Sequence, residues 1–157
     1  MPEIKVEIKG LDKFRKAIGK FPQIAAKNLD EAIKLSIYEI QRTTTPKVPV
    51  SEGRLKNSIR IDLIPLRGSL GFTADYATYV HEGTRPHWPP FGAGSSLERW
   101  SRLHGIIPFL VARAISVRGT KAQPFLKEGV EGAKSSIDNR MKQALENIVK
   151  EVANQSK

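Results

Sequence analysis

His81-Glu82 and His87 are the residues of this chain best suited to do chemistry, and with His104 they account for its 3 histidines. Two imidazoles could ligate zinc, with the carboxylate acting as general base toward a metal-bound water. That chemistry places both His residues on one helical face, four positions apart, with the Glu between them. Here His87 lies beyond Gly83 and Pro86, which break any helix begun at His81. His104 has no fixed spacing to either, so all of these read as surface or interface histidines.

Two other constellations invite a catalytic reading and do not complete it. Gly92-Ala93-Gly94-Ser95-Ser96 before a helix resembles an anion-binding helix start. It lacks the P-loop lysine and spacing, so it reads as a loop ending in an N-cap at Ser95 or Ser96. Asp62 falls at an outward position of a strand and Asp75 at a helix cap, so these carboxylates do not converge on a cleft. There is no Gly-x-Ser-x-Gly elbow, and with Cys 0 there is neither a thiolate nor a disulfide. No enzymatic activity, metal or cofactor is expected.

The charge points to partners instead. Lys and Arg number 26 against 16 Asp and Glu, a formal net charge of +10. The cations are spread along the chain and mixed with acids, without a basic run or an aromatic-interleaved platform of the kind that binds single strands. A solvated basic surface facing an acidic neighbour is expected, with non-specific proximity to DNA. The longest apolar stretch, Ile106 to Ile115, is interrupted by Pro108 and Arg113 and falls short of the roughly 18 residues of a membrane span. Met1-Pro2-Glu3-Ile4-Lys5 has no signal region behind it, so neither secretion nor membrane association is expected.

The elements that would position these residues follow from periodicity. Ile4, Val6 and Ile8 alternate with charged residues as in a half-buried strand. Leu11, Phe14, Ala17 and Ile18 give a short helix ended near Gly19. Pro22 then opens a helix to about Thr44, with Ala25, Leu29, Ala32, Ile33, Ser36, Ile37 and Ile40 on one stripe. At about 22 residues it would be about 33 Å long. Thr43 to Val50 is a stiff connector, and Ser51 caps a helical turn through Leu55. Ser58 to Ile64 alternates as a strand, Pro65 to Gly68 turns, and Ser69 to Thr73 returns, with Gly71 marking a bulge or a close backbone approach. Asp75 to His81 reads as short helical turns ending at Gly83.

From Arg85 the chain is rich in Pro and Gly, and Trp88-Pro89-Pro90-Phe91 is either a binding surface or a loop tucked onto its own core. A helix holding Leu97, Trp100 and Leu103 closes at Gly105, another opens at Pro108, and Arg118 to Lys121 turns. The last helix starts at Pro124, with Leu126, Val130, Ala133, Ile137, Met141, Ala144 or Leu145, Ile148 and Val152 inward. At about 30 residues, about 45 Å, it is longer than one compact domain needs, so part of it is expected to meet another subunit. The fold class is α+β. A small antiparallel sheet packs on two long helices, 22–44 and 124–153, in a single domain (1–157) with a loop and short-helix insert at 85–121.

These residues, in this order, resemble the neck or tail-completion proteins of long-tailed bacteriophages and prophages, also described as minor tail components. The resemblance rests on Gly10-Leu11-Asp12 leading into the first helix and on Gly53-Arg54-Leu55-Lys56-Asn57-Ser58-Ile59 after a Pro-containing segment. It continues with Tyr76-Ala77-Thr78-Tyr79-Val80-His81-Glu82-Gly83-Thr84 and closes with Ala122-Gln123-Pro124-Phe125-Leu126. The chain departs from the family pattern at Glu52, Lys56, His81, Glu82 and Val130. The resemblance implies a virion structural protein at the head–tail junction, a homo-oligomeric ring component that meets other connector and tail proteins. It would be found in the host cytoplasm during assembly. A basic nucleic-acid-binding protein is the alternative reading. The motif residues are expected to define the fold, with Leu55, Ile59, Tyr76, Tyr79 and Phe125 locking turns onto the sheet. Contacts between subunits are expected from flanking loops and helix faces that include Pro46, Val48, Trp88, Phe91, Ile148 and Val152.

Overall fold

A computed structural model describes residues 11–50 and 53–155, with side chains for 19–50 and 53–154. The expected strand at Ile4–Ile8, Gly10 of the first motif, and Ser51 and Glu52 lie outside the described residues. The fold is α+β and mostly helical. Helix α1 (Leu11–Thr44) runs into a 3-10 turn at Thr45–Lys47, followed by the short helix α2 (Arg54–Asn57). A hairpin of β1 (Ile59–Ile64) and β2 (Arg67–Phe72) comes next, and then α3 (Ala77–Glu82) and α4 (Ser96–Leu103). Helices α5 (Pro108–Arg118) and α6 (Phe125–Gln155) complete the chain. No described helix is long and apolar enough to cross a membrane.

The first helix corrects the sequence reading. Gly19 does not end it and Pro22 does not start a new one; both lie inside one helix of 34 residues. A glycine in a helix interior costs about 1 kcal/mol and a proline about 3 kcal/mol. The long apolar stripe that follows offsets both. Ile24, Ala32, Ser36 and Ile37 are buried along it, and the Ser36 hydroxyl donates to Ala32 O at 2.7 Å.

The described residues form two compact units. The first takes in residues 11–40, 61–69 and 133–155. In it the hairpin tip lies on α1. A Cβ on Gly68 would come within 2.5 Å of Ile37 Cγ1, so the close approach expected at Gly71 occurs at Gly68, and Gly71 faces open space. The turn is tighter than expected, only Pro65-Leu66. Leu66 carries φ 58°, the one positive φ outside glycine among the described residues, and its N–H donates to Asp30 Oδ1 at 2.9 Å. In the same unit α6 buries Ala133, Ala144 and Ile148, and Asn28 Nδ2 donates to Glu151 Oε1 at 3.3 Å.

The second unit takes in residues 41–60 and 70–132. Here the start of α6 meets the end of α1. Thr43 Oγ1 donates to Gly129 O at 2.7 Å, while Thr44, fully buried, lies against the Gly129 Cα. Gly129, and not Val130, therefore faces inward; Val130, one position on and so turned about 100° around the helix, is exposed. A Cβ on Gly129 would lie 2.8 Å from Thr44 Cα. Gly129→Ala gains about 1 kcal/mol of helix propensity but overpacks a site closed by backbone, at about 1–3 kcal/mol. We expect a net loss of up to about 2 kcal/mol, read as a lower urea midpoint at unchanged slope.

Candidate functional site

The second unit gathers the motif segments. Gly53, at φ 75°, opens α2, and Asn57 N–H returns to Gly53 O at 2.9 Å. Ser58 closes it, its hydroxyl donating to Leu55 O at 2.7 Å while its own carbonyl accepts from Thr73 N–H at 2.9 Å. That pair of bonds ties the exit of α2 to the end of the hairpin. Leu55 points into a core with Val48, Ala77 and Phe125, against which Phe72, Ala74, Val80 and Leu126 pack.

Phe125 is the centre of this core at 2% exposure. Its ring meets Phe72 edge-on, with centroids 5.1 Å apart, and meets His81 likewise at 5.1 Å. Pro124 precedes it at the start of α6. Helix α3 is capped by Tyr76, not Asp75, and ends at Gly83 (φ 74°, ψ −179°). Beyond it Thr84 and Thr120 form an antiparallel bridge, with both N–H···O bonds at 3.2 Å and the hydroxyls 3.0 Å apart. Gln123 N–H adds a bond of 3.0 Å to Val80 O.

Tyr76 and Tyr79 do not lock this arrangement. Helix α3 turns Ala77 and Val80, at i and i+3, toward the core, which leaves Tyr79 63% exposed and Tyr76 at 40%. Ile59 is half-buried.

The chemical candidates do not converge. His81 packs on Phe125, with its Nδ1 3.7 Å from Glu82 Oε1. His87 donates from Nδ1 to Arg85 O at 2.9 Å, and His104 donates from Nδ1 to Trp100 O at 2.8 Å while stacking on that indole. No group of three His, Cys, Asp or Glu among the described residues could hold a metal ion. Ser95 is the cap of α4, its Oγ accepting from Glu98 N–H at 3.1 Å. Asp62 and Asp75 are both exposed and lie on separate elements.

The second unit instead holds a groove of about 960 Å³. Its apolar lining comes from the motif turns (Leu55, Tyr79, Val80) and from the insert (Leu97, Trp100, Ile115). No sequence period announces it, because its walls come from loops and short helices far apart in the chain. Neither family models, curated proteins nor solved structures match this chain.

The expected contact residues divide. Pro46 and Trp88 are exposed and Phe91 partly so, but Val48 and Ile148 are buried at 3% and 4% and Val152 is half-buried. Val48 and Ile148 thus serve the chain's own packing, a correction to their reading as contact surface. Of the alternatives left open at Trp88, the structure shows the loop resting on its own chain: Trp88, Phe91 and Phe109 pack on one another with centroids 6.0–6.3 Å apart and remain 59%, 37% and 48% exposed. Ile107 and Leu110, beside Phe109 in the chain, are also exposed, at 63% and 52%.

Proposed function

We propose that this chain is a virion structural protein of a long-tailed phage or prophage, acting without catalysis in a neck or tail-completion ring at the head–tail junction. One observation carries the reading. The separated segments that resemble the family, around Leu55, Ala77 and Phe125, supply one core, and Gly83-Thr84 is bonded to the turn just before the closing segment. A signature kept for fold and not for a ligand would be distributed in this way. The exposed Trp88, Phe91, Ile107, Phe109 and Leu110 add support, since monomeric proteins seldom leave such apolar area uncovered.

The test is assembly. Purified chain is examined by size-exclusion chromatography with light scattering and by negative-stain imaging, alone and with connector and tail proteins from the same genome. Ring-shaped particles or stable co-elution are expected, and a strict monomer in every mixture overturns the reading. The excess of 26 Lys and Arg over 16 Asp and Glu favours a second reading, a basic nucleic-acid-binding protein. That reading requires duplex DNA affinity that falls steeply with salt; absence of binding at low salt removes it.

A further inference from the structure

The groove of the second unit is apolar inside and cationic at its edge. Among its described lining residues Arg54, Arg85 and Lys121 are charged, and none is a carboxylate. All three are exposed, and no ion pair or side-chain hydrogen bond within the described residues engages them. By contrast Lys47, elsewhere in the same unit, is paired with Glu128, its Nζ donating to the Glu128 carbonyl at 2.9 Å. Elsewhere on the walls, Val50 and Tyr79 present apolar surface to solvent at 67% and 63% exposure. A cavity of about 960 Å³ is large enough for several side chains of a bound segment.

We propose that this groove receives an extended acidic–apolar segment of a protein partner. Its aliphatic or aromatic side chains would enter between Tyr79, Leu97 and Trp100, and its carboxylates would face Arg54, Arg85 and Lys121. Charge selects an acidic occupant: among the described residues the groove is lined by three cations and no carboxylate, and like charges placed together at an interface cost several kcal/mol. A second copy seated here is the competing occupant, and the test below separates it. The apolar lining selects a protein segment over nucleic acid, whose contacts are dominated by phosphate. The proposal does not depend on the neck-ring reading, because the groove and its charge belong to the single chain.

Binding is measured by fluorescence anisotropy with the full chain and a labelled peptide of alternating Glu and Leu. The comparison ligands are the same peptide with Lys for Glu, polyglutamate, and a duplex DNA. The alternating acidic peptide is expected to bind at least tenfold tighter than any of these. The double charge reversal Arg85→Glu with Lys121→Glu should weaken it about tenfold or more and steepen no salt dependence that remains. Tyr79→Ser, at an exposed wall position, should weaken it about fivefold at unchanged thermal stability. Equal binding of polyglutamate or DNA would mean charge alone and overturn the proposal, as would absence of peptide binding. Concentration-dependent self-association abolished by Tyr79→Ser would assign the groove to a second copy and also overturn it. Ring assembly is scored separately, so failure of either result leaves the other legible.

Discussion

Replacing Phe125 by alanine is expected to lower stability by about 3–5 kcal/mol, the range for a buried aromatic truncated to a methyl group. The ring is 2% exposed, and it is touched from both the hairpin, through Phe72, and α3, through His81. Edge-on aromatic pairs contribute about 0.5–1.5 kcal/mol each beyond area burial, so Phe125→Leu should recover part of the loss but not all of it. Natural domains have about 5–15 kcal/mol in total, and the alanine variant should therefore show a large unfolded fraction well below the parent transition. The readout is convenient. Both tryptophans, Trp88 and Trp100, lie in the second unit, so their fluorescence follows the unit that contains Phe125. Val117→Ala, at a position 67% exposed, should shift the same urea midpoint by no more than about 0.5 kcal/mol. A Phe125→Ala loss below about 1 kcal/mol would mean that the ring is not the centre of this core.

That centre was legible in the sequence, but its surroundings were only partly so. Period two gave the hairpin, and steps of three and four gave α6, because half-buried strands and helices both repeat the side of the chain that meets the core. Proline and glycine were read with less success. Pro22 and Gly19 are breakers by local preference, yet α1 passes through both, since a stripe from Ile24 to Ile37 outweighs a local cost. Between Gly68 and Gly71 the sequence offers no means of choosing; which one meets another chain segment depends on where α1 lies. Leu66 is a further case, a residue held at φ 58° with its N–H on a carboxylate, Asp30, that sequence separation hides. Tyr76 and Tyr79 misled through composition, since aromatic residues near a sheet suggest burial, and only the phase of α3 reveals that Ala77 and Val80 take the inner face. The groove was invisible for the same reason. Each wall residue looks like an ordinary loop or helix position until tertiary contacts bring the loops together.

Gly119→Ala is expected to cost about 4 kcal/mol, combining backbone strain of about 1–3 kcal/mol with overpacking of similar size. Gly119 has φ 71° and ψ −161°, and Gly83 across from it has φ 74° and ψ −179°, a region of backbone space essentially confined to glycine. Each also sits against the other's chain. A Cβ on Gly119 would run into Thr84 O and lie 2.9 Å from the Arg85 carbonyl carbon; one on Gly83 would lie 2.8 Å from Ala122 N. The Thr84–Thr120 bridge closes between these two glycines, so displacing either pulls apart its paired bonds. Two controls separate the causes. Gly94 has φ 81° but open space around it, so Gly94→Ala should show strain alone, about 1–2 kcal/mol. Gly19 lies in α1, also with open space and no positive φ, so Gly19→Ala should raise stability by roughly 0.5–1 kcal/mol. The expected order of urea midpoints is therefore Gly19→Ala, parent, Gly94→Ala, Gly119→Ala. If Gly119→Ala and Gly94→Ala fall together, the close approach of the two chain segments at Thr84 and Thr120 is wrong. If Gly119→Ala matches the parent, the backbone conformation is wrong as well. The groove gives an independent check, because Gly83, Thr84 and Thr120 line it. A variant that springs the bridge but leaves Phe125 packed should lose affinity for the alternating acidic peptide by more than its fluorescence midpoint changes.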